Sequence, residues 1–104
     1  MITRPTIPDW LRLCLSQAII GEIYPSIRVI CLRYHERRIT IRAYFDREPT
    51  EYDHDAIDII CLNMEEHCAD NFDYIDVECI HSITPIGFLE ILDGVIYARR
   101  EYDD

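Results

Sequence analysis

The stretch Ile39-Thr40-Ile41-Arg42-Ala43-Tyr44-Phe45 alternates apolar and polar residues, whereas Thr50-Glu51-Tyr52-Asp53-His54-Asp55-Ala56-Ile57-Asp58-Ile59-Ile60-Cys61-Leu62-Asn63-Met64-Glu65-Glu66-His67-Cys68 does not. In the first, Ile39, Ile41, Ala43 and Phe45 fall on one side and Thr40, Arg42 and Tyr44 on the other. That period of two belongs to a half-buried strand. In the second, Ile57, Ile60, Cys61, Met64 and Cys68 recur at intervals of three and four, which makes the buried stripe of a helix, and Asp55, Asp58, Glu65 and Glu66 lie mainly outside it. Asp46-Arg47-Glu48-Pro49 closes the strand. Thr50 and Asp53 have the spacing of a capping box, with Asp in place of the usual Glu, so the helix is expected from Glu51 to about Ala69. Strand and helix within one short span predict a mixed α and β chain.

Upstream, Ser26 to Tyr34 is rich in β-branched residues and is followed by the polar turn His35-Glu36-Arg37-Arg38. With Ile39 to Phe45 this predicts a hairpin. Arg28 and Arg33 have opposite parity in the first strand, so a bulge or strand end is expected near one of them. Further upstream, Pro8, Asp9 and Gly21 bracket Trp10 to Ile20 as a helix. Leu11, Cys14, Leu15 and Ala18 share its face, and Trp10 and Leu13 widen it, so this helix is expected to be well covered.

Downstream, Asp70-Asn71-Phe72-Asp73 is a turn, and Tyr74 to His81 alternates with Ile75, Val77 and Cys79 inward and Asp76 and Glu78 outward. Ser82 to Leu92 is apolar but broken by Pro85 and Gly87, which predicts a packed irregular segment. After Asp93-Gly94, Val95 to Arg100 reads as a last strand, and Glu101 to Asp104 as a tail that frays. At 104 residues the chain suits one core. The expected fold is one α+β domain over residues 1–104, in the order α-β-β-α-β-β, with an antiparallel sheet and the helices packed on it.

The net charge is −10. Residues 1–44 carry seven Arg against Asp9, Glu22 and Glu36, whereas residues 45–104 carry three Arg against seventeen acids. From Asp46 to His81 there are twelve acids and one base, Arg47. Most charge runs are solvated faces. One this one-sided costs stability by self-repulsion and, interleaved with tyrosines, suits a surface that meets a basic partner. The charge map nominates Asp46, Glu48, Glu51, Asp55, Asp58, Glu65, Glu66, Asp73, Asp76 and Glu78, with Tyr44, Tyr52 and Tyr74. The same charge disfavours direct binding of nucleic acid or an anionic membrane. No apolar run approaches the roughly 20 residues of a membrane span.

Five cysteines, Cys14, Cys31, Cys61, Cys68 and Cys79, are odd in number and lack CxxC spacing. They read as buried, reduced core residues, which points to the cytoplasm. Pro5, Pro8 and Asp9 interrupt any early apolar run, so no export signal is expected. The four histidines form no HExxH pattern; His54 with Asp58, or His67 with Cys68, is too little for a metal site, and none is expected. Gly21, Gly87 and Gly94 are far apart, so there is no phosphate loop, and no cofactor is expected. No catalytic residue is nominated, although a Cys–His pair meeting in space would make a small cytoplasmic enzyme or ligand-binding domain the alternative.

Three segments, Gly21-Glu22-Ile23-Tyr24-Pro25-Ser26-Ile27-Arg28, Tyr44-Phe45-Asp46-Arg47-Glu48-Pro49-Thr50-Glu51 and Gly94-Val95-Ile96-Tyr97-Ala98-Arg99-Arg100-Glu101, carry a resemblance to a family of small bacterial proteins over residues 15–102. The chain resembles the immunity proteins of contact-dependent growth inhibition and related polymorphic toxin systems. The resemblance implies a non-enzymatic partner that binds a cognate toxin C-terminal domain, commonly a nuclease, in the cytoplasm and covers its active site. It carries over no binding residues. The free protein is expected to be a monomer or a weak dimer.

Overall fold

The structure is a computed structural model that describes residues 7–101. Its helices and strands are α1 (Asp9–Ala18), β1 (Ile27–His35), β2 (Arg38–Phe45), α2 (Glu51–Cys68), β3 (Tyr74–His81) and β4 (Gly94–Ala98), with short 3-10 turns at Ala69–Asn71 and Ile86–Phe88. Both helices bury their stripes against one face of a single sheet of order β3-β2-β1-β4. Leu11, Cys14, Leu15 and Ala18 of α1 and Ile57, Ile60, Cys61, Met64 and Cys68 of α2 meet Ile27, Ile30, Leu32, Ile39, Ile41, Ala43 and Phe45 there. Leu13, expected to be covered, is instead exposed, because α1 has only the sheet and α2 as neighbours and Leu13 faces neither.

The sheet is mixed rather than antiparallel. β1 pairs antiparallel with β2 and with β4, but β2 and β3 run parallel, from Arg38 opposite Tyr74 to Phe45 opposite His81. The cause is the length of α2. Eighteen helical residues span roughly 27 Å, which matches the roughly 26 Å of an eight-residue strand. The helix therefore returns the chain to the end of the sheet where β2 began, and the next strand runs the same way.

The β1–β2 turn is tight. Glu36 and Arg37 both have positive φ, 50° and 65°, the two-residue hairpin geometry that glycine and asparagine usually supply. Arg37 is held there by the turn before β3: its carbonyl accepts from Asp73 N at 2.7 Å, and its side chain donates to Asp73 Oδ1 at 3.2 Å and Asp70 O at 3.0 Å. The bulge expected in β1 lies at Arg28, between the pairs Ile27–Phe45 and Val29–Tyr44. It turns the Arg28 guanidinium into a buried position, where it donates to Glu101 at 2.9 and 2.7 Å and to Ser82 O at 2.7 Å. Glu101 is thereby anchored rather than part of a loose tail; residues 102–104 lie outside the described residues, as do residues 1–6 and with them most of the segment read for an export signal.

The segment 82–93 straps the second face of the sheet. Ile86, Leu89, Ile91 and Leu92 pack on Val29, Cys31 and Tyr44. The strap ends at Gly94, where a Cβ would lie 2.6 Å from Ile7 Cδ1 and 3.3 Å from Arg12 Nη2. Because Ile7 is buried, Gly94→Ala is expected to cost about 1 kcal/mol of overpacking, read as a lower urea midpoint with an unchanged slope; an unaltered midpoint would show that Ile7 yields freely.

The cysteine expectation is half overturned. Cys14 of α1 and Cys68 at the end of α2 form a disulfide. They are 54 residues apart, a distance at which sequence spacing carries no pairing signal, and antiparallel packing of the two helices brings them together. Cys31 and Cys61 are free and buried, and Cys79 is free and half-buried.

Candidate functional site

The thirteen nominated residues separate into two groups. Glu51, Tyr52, Asp55, Asp58, Glu65 and Glu66 are all exposed on α2. Helical periodicity places Glu51, Asp58 and Glu65, seven residues apart, in one column. Tyr52, Asp55, Ile59, Leu62 and Glu66 form the neighbouring outward stripe, opposite Ile57, Ile60 and Met64. Tyr52, Ile59 and Leu62 are 67%, 45% and 59% exposed. The five acids make no ion pair within the described residues, so their field is uncompensated.

Of the other seven, most are engaged by neighbouring side chains or covered. Asp46 accepts from Arg99 Nη1 at 2.7 Å. Glu48 Oε1 lies 3.6 Å from His81 Nδ1. Asp73 holds Arg37, and Tyr74 lies under the Arg38 guanidinium, 5.2 Å from ring centroid to Cζ. Asp76 shares a shallow hollow with Arg33, His35, Arg38 and Thr40. Glu78 accepts from Arg42 Nε at 2.8 Å, and Arg42 also reaches Glu90 at 2.9 Å. Tyr44 is buried beneath the strap and donates its hydroxyl to Glu90 O at 2.7 Å, so it offers no contact surface. The second face of the sheet is thus a mosaic of matched charges, because the arginines of the basic first half of the chain pair with acids of the second half. Of the nominated acids, Asp76 and the five on α2 make no ion pair among the described residues.

The start of α2 is fastened from within. Asp53, the third helical residue, is fully buried. It accepts from Thr50 N at 2.7 Å in the capping box, from the Tyr24 hydroxyl and from both Arg47 Nη atoms. Burial alone would raise its carboxyl, but the hydrogen bonds from Arg47, Tyr24 and Thr50 outweigh this and hold it well below the usual carboxylate range. Burial and the bond to Asp53 push the Tyr24 phenol far above its ordinary value. This cluster locks Tyr24, in the connection from α1 to β1, against α2.

Between that connection and α2 is a hollow of about 200 Å³, lined among others by Glu22, Ile23, Tyr24, Tyr52, Asp55 and Ile59. The Tyr24 and Tyr52 rings meet edge to face at 5.5 Å. The charge map did not find Glu22, Ile23 and Tyr24, since nothing local ties them to α2. Ile59 and Leu62 had a visible signal: they are apolar residues on the polar side of the helical wheel.

Burial pushes the free thiols up, Cys61 to about 12 and Cys31 and Cys79 to about 11. They are protonated at neutral pH, which leaves a Cys–His nucleophile without a thiolate. Among the described residues no three His, Cys, Asp or Glu side chains are grouped to hold a metal ion, and no helix is long and apolar enough to cross a membrane.

The sequence profile of the MafI2 immunity protein family matches residues 8–101, from the residue before α1 to the last anchored carboxylate. The chain belongs to the MafI2 immunity protein family. No protein of curated function matches it in sequence. The match covers every helix and strand described above. Membership makes this MafI2 protein an immunity protein acting against a toxin.

Proposed function

We propose that the protein neutralises a cognate toxin C-terminal domain by binding it, without catalysis, in the cytoplasm, and that the toxin domain is a basic nuclease of the RNase type whose active site is covered by α2. The setting would be contact-dependent growth inhibition or a related polymorphic toxin system. The observation that supports this most is the exposed face of α2, where Glu51, Asp55, Asp58, Glu65 and Glu66 stand without counter-charges beside an apolar stripe. A nuclease that grips phosphates presents arginines and lysines around its active site. A row of carboxylates meets the same groups and steers the encounter. An enzymatic role for the chain finds little support in thiols held protonated by burial.

The test is the association kinetics of the chain with a catalytically inactive toxin domain from the adjacent reading frame. Asp55→Lys with Asp58→Lys is expected to lower the on-rate about tenfold at low ionic strength and to flatten its dependence on salt. An on-rate and salt slope equal to those of the unaltered chain would remove α2 from the interface. An active toxin domain that, while bound to this chain, still cleaves a short substrate would overturn the covering of the active site.

A further inference from the structure

The hollow between the Gly21–Tyr24 connection and α2 has a chemistry more specific than an acidic surface. Its walls are aromatic and aliphatic, from Tyr24, Tyr52, Ile23 and Ile59. Two carboxylates lie on opposite sides, Glu22 from the connection and Asp55 from α2. Neither is engaged by an arginine of the described chain; Arg47, the nearest base in sequence to α2, is committed to Asp53. A volume of about 200 Å³ is that of one large side chain, not of a nucleotide or a cofactor.

We propose that this hollow is a receptor for a single arginine side chain presented by the partner. This deepens the reading of α2 as the toxin-binding face and rests on it. An arginine fits every wall. Its aliphatic stem packs on Ile23 and Ile59, as long basic side chains do on apolar surface. Its guanidinium plane stacks over the exposed Tyr52 ring. Its five donors reach Glu22 and Asp55 together, which a lysine ammonium, a point charge, does less well. An uncharged apolar side chain would leave both carboxylates facing a desolvated partner, which costs affinity. Arginine and tyrosine are the residues on which interfaces concentrate their energy. The hollow is thus the anchor, and the column Glu51, Asp58 and Glu65 the long-range guide.

The anchor and the guide are separable by experiment. Two double variants remove the same charge, E22Q with D55N in the hollow and D58N with E65Q on the column. With the inactive toxin domain, the hollow pair and Tyr52→Ala are each expected to raise the off-rate roughly tenfold or more, and to keep that effect at high salt. The column pair is expected to lower the on-rate about two- to threefold, an effect that disappears at high salt. Equal behaviour of the two pairs, or an unchanged off-rate in Tyr52→Ala, overturns the anchor.

A second arm needs no toxin. In a heteronuclear NMR titration of the whole chain, N-acetyl-arginine amide is expected to shift the amides of Ile23, Tyr52 and Asp55. N-acetyl-norleucine amide is expected not to do so, and the shifts should be lost in E22Q with D55N. Absent shifts, or shifts matched by norleucine, overturn the proposal. If the arginine shifts occur but no toxin domain binds, the hollow stands and the reading of α2 as a toxin-binding face falls. If the toxin binds and the two charge pairs are indistinguishable, the reverse holds.

Discussion

Replacing Asp53 by alanine is expected to lower the stability of this domain by about 3 kcal/mol. The carboxylate is fully buried and accepts from five donor atoms, the Thr50 hydroxyl among them. Without it the Thr50 N–H at the helix start loses its cap, worth about 1 kcal/mol. The Tyr24 hydroxyl is left without an acceptor, and an orphaned part-buried hydroxyl costs about 1–2 kcal/mol more. Urea unfolding at pH 7 with an unchanged slope measures the loss; a change below about 1 kcal/mol would mean that water replaces the carboxylate at little cost.

The pH dependence follows from the same contacts. The folded state holds the Asp53 carboxyl below the range it has in the unfolded chain, so its contribution is complete above about pH 4–5. It fades as the pH falls through the lower, folded-state value, because the proton then displaces Arg47. Asp53→Asn should therefore be less stable than the unaltered chain at neutral pH, and the gap between the two should narrow as the solution is acidified below about pH 4. A gap constant with pH would mean that the ionised form is not what the fold uses. Because Asp53 also fixes Tyr24, its loss should loosen one wall of the hollow on α2.

Opening the Cys14–Cys68 disulfide is expected to cost about 4 kcal/mol, the chain-entropy value for a closed loop of this length. The bond joins α1 to the last turn of α2, and little else crosses between these helices beyond their buried stripes and the Asn63 amide, which donates to Ala18 O at 3.0 Å. Denaturant unfolding with and without a thiol reductant should show the shift in the unaltered chain and none in Cys14→Ser with Cys68→Ser. Thiol titration of the fully denatured, unreduced protein should count the three free cysteines and not all five. Five titratable thiols would mean that the pair is held as a dithiol. In a reducing cytoplasm the dithiol form is the one expected at equilibrium, so the helical layer would there rest on its apolar contacts.

Every helix and strand was legible in the sequence because its signals are local. The capping box at Thr50 and Asp53, the stripe from Ile57 to Cys68, the alternation from Tyr74 to His81 and the parity conflict between Arg28 and Arg33 all read directly onto the structure. The tight turn at Glu36 and Arg37 was legible only as a polar break, since its geometry is imposed by Asp70 and Asp73 from across the sheet edge.

Family likeness and the acidic bias of the second half of the chain were also in the sequence, since both belong to residue order and composition alone. What the tertiary structure decided were the relations between distant residues. Whether β3 joins β2 parallel depends on how far α2 carries the chain back. Whether Cys14 is a thiol depends on Cys68 lying opposite it. Which acids stay unpaired depends on where the arginines come to rest: Asp46, Asp73 and Glu78 are spent on Arg99, Arg37 and Arg42, and Asp53 on Arg47, while Glu51, Asp55, Asp58, Glu65 and Glu66 are not. A charge map along a chain counts charges, but Coulomb energy depends on distance in space, and only the fold sets that distance.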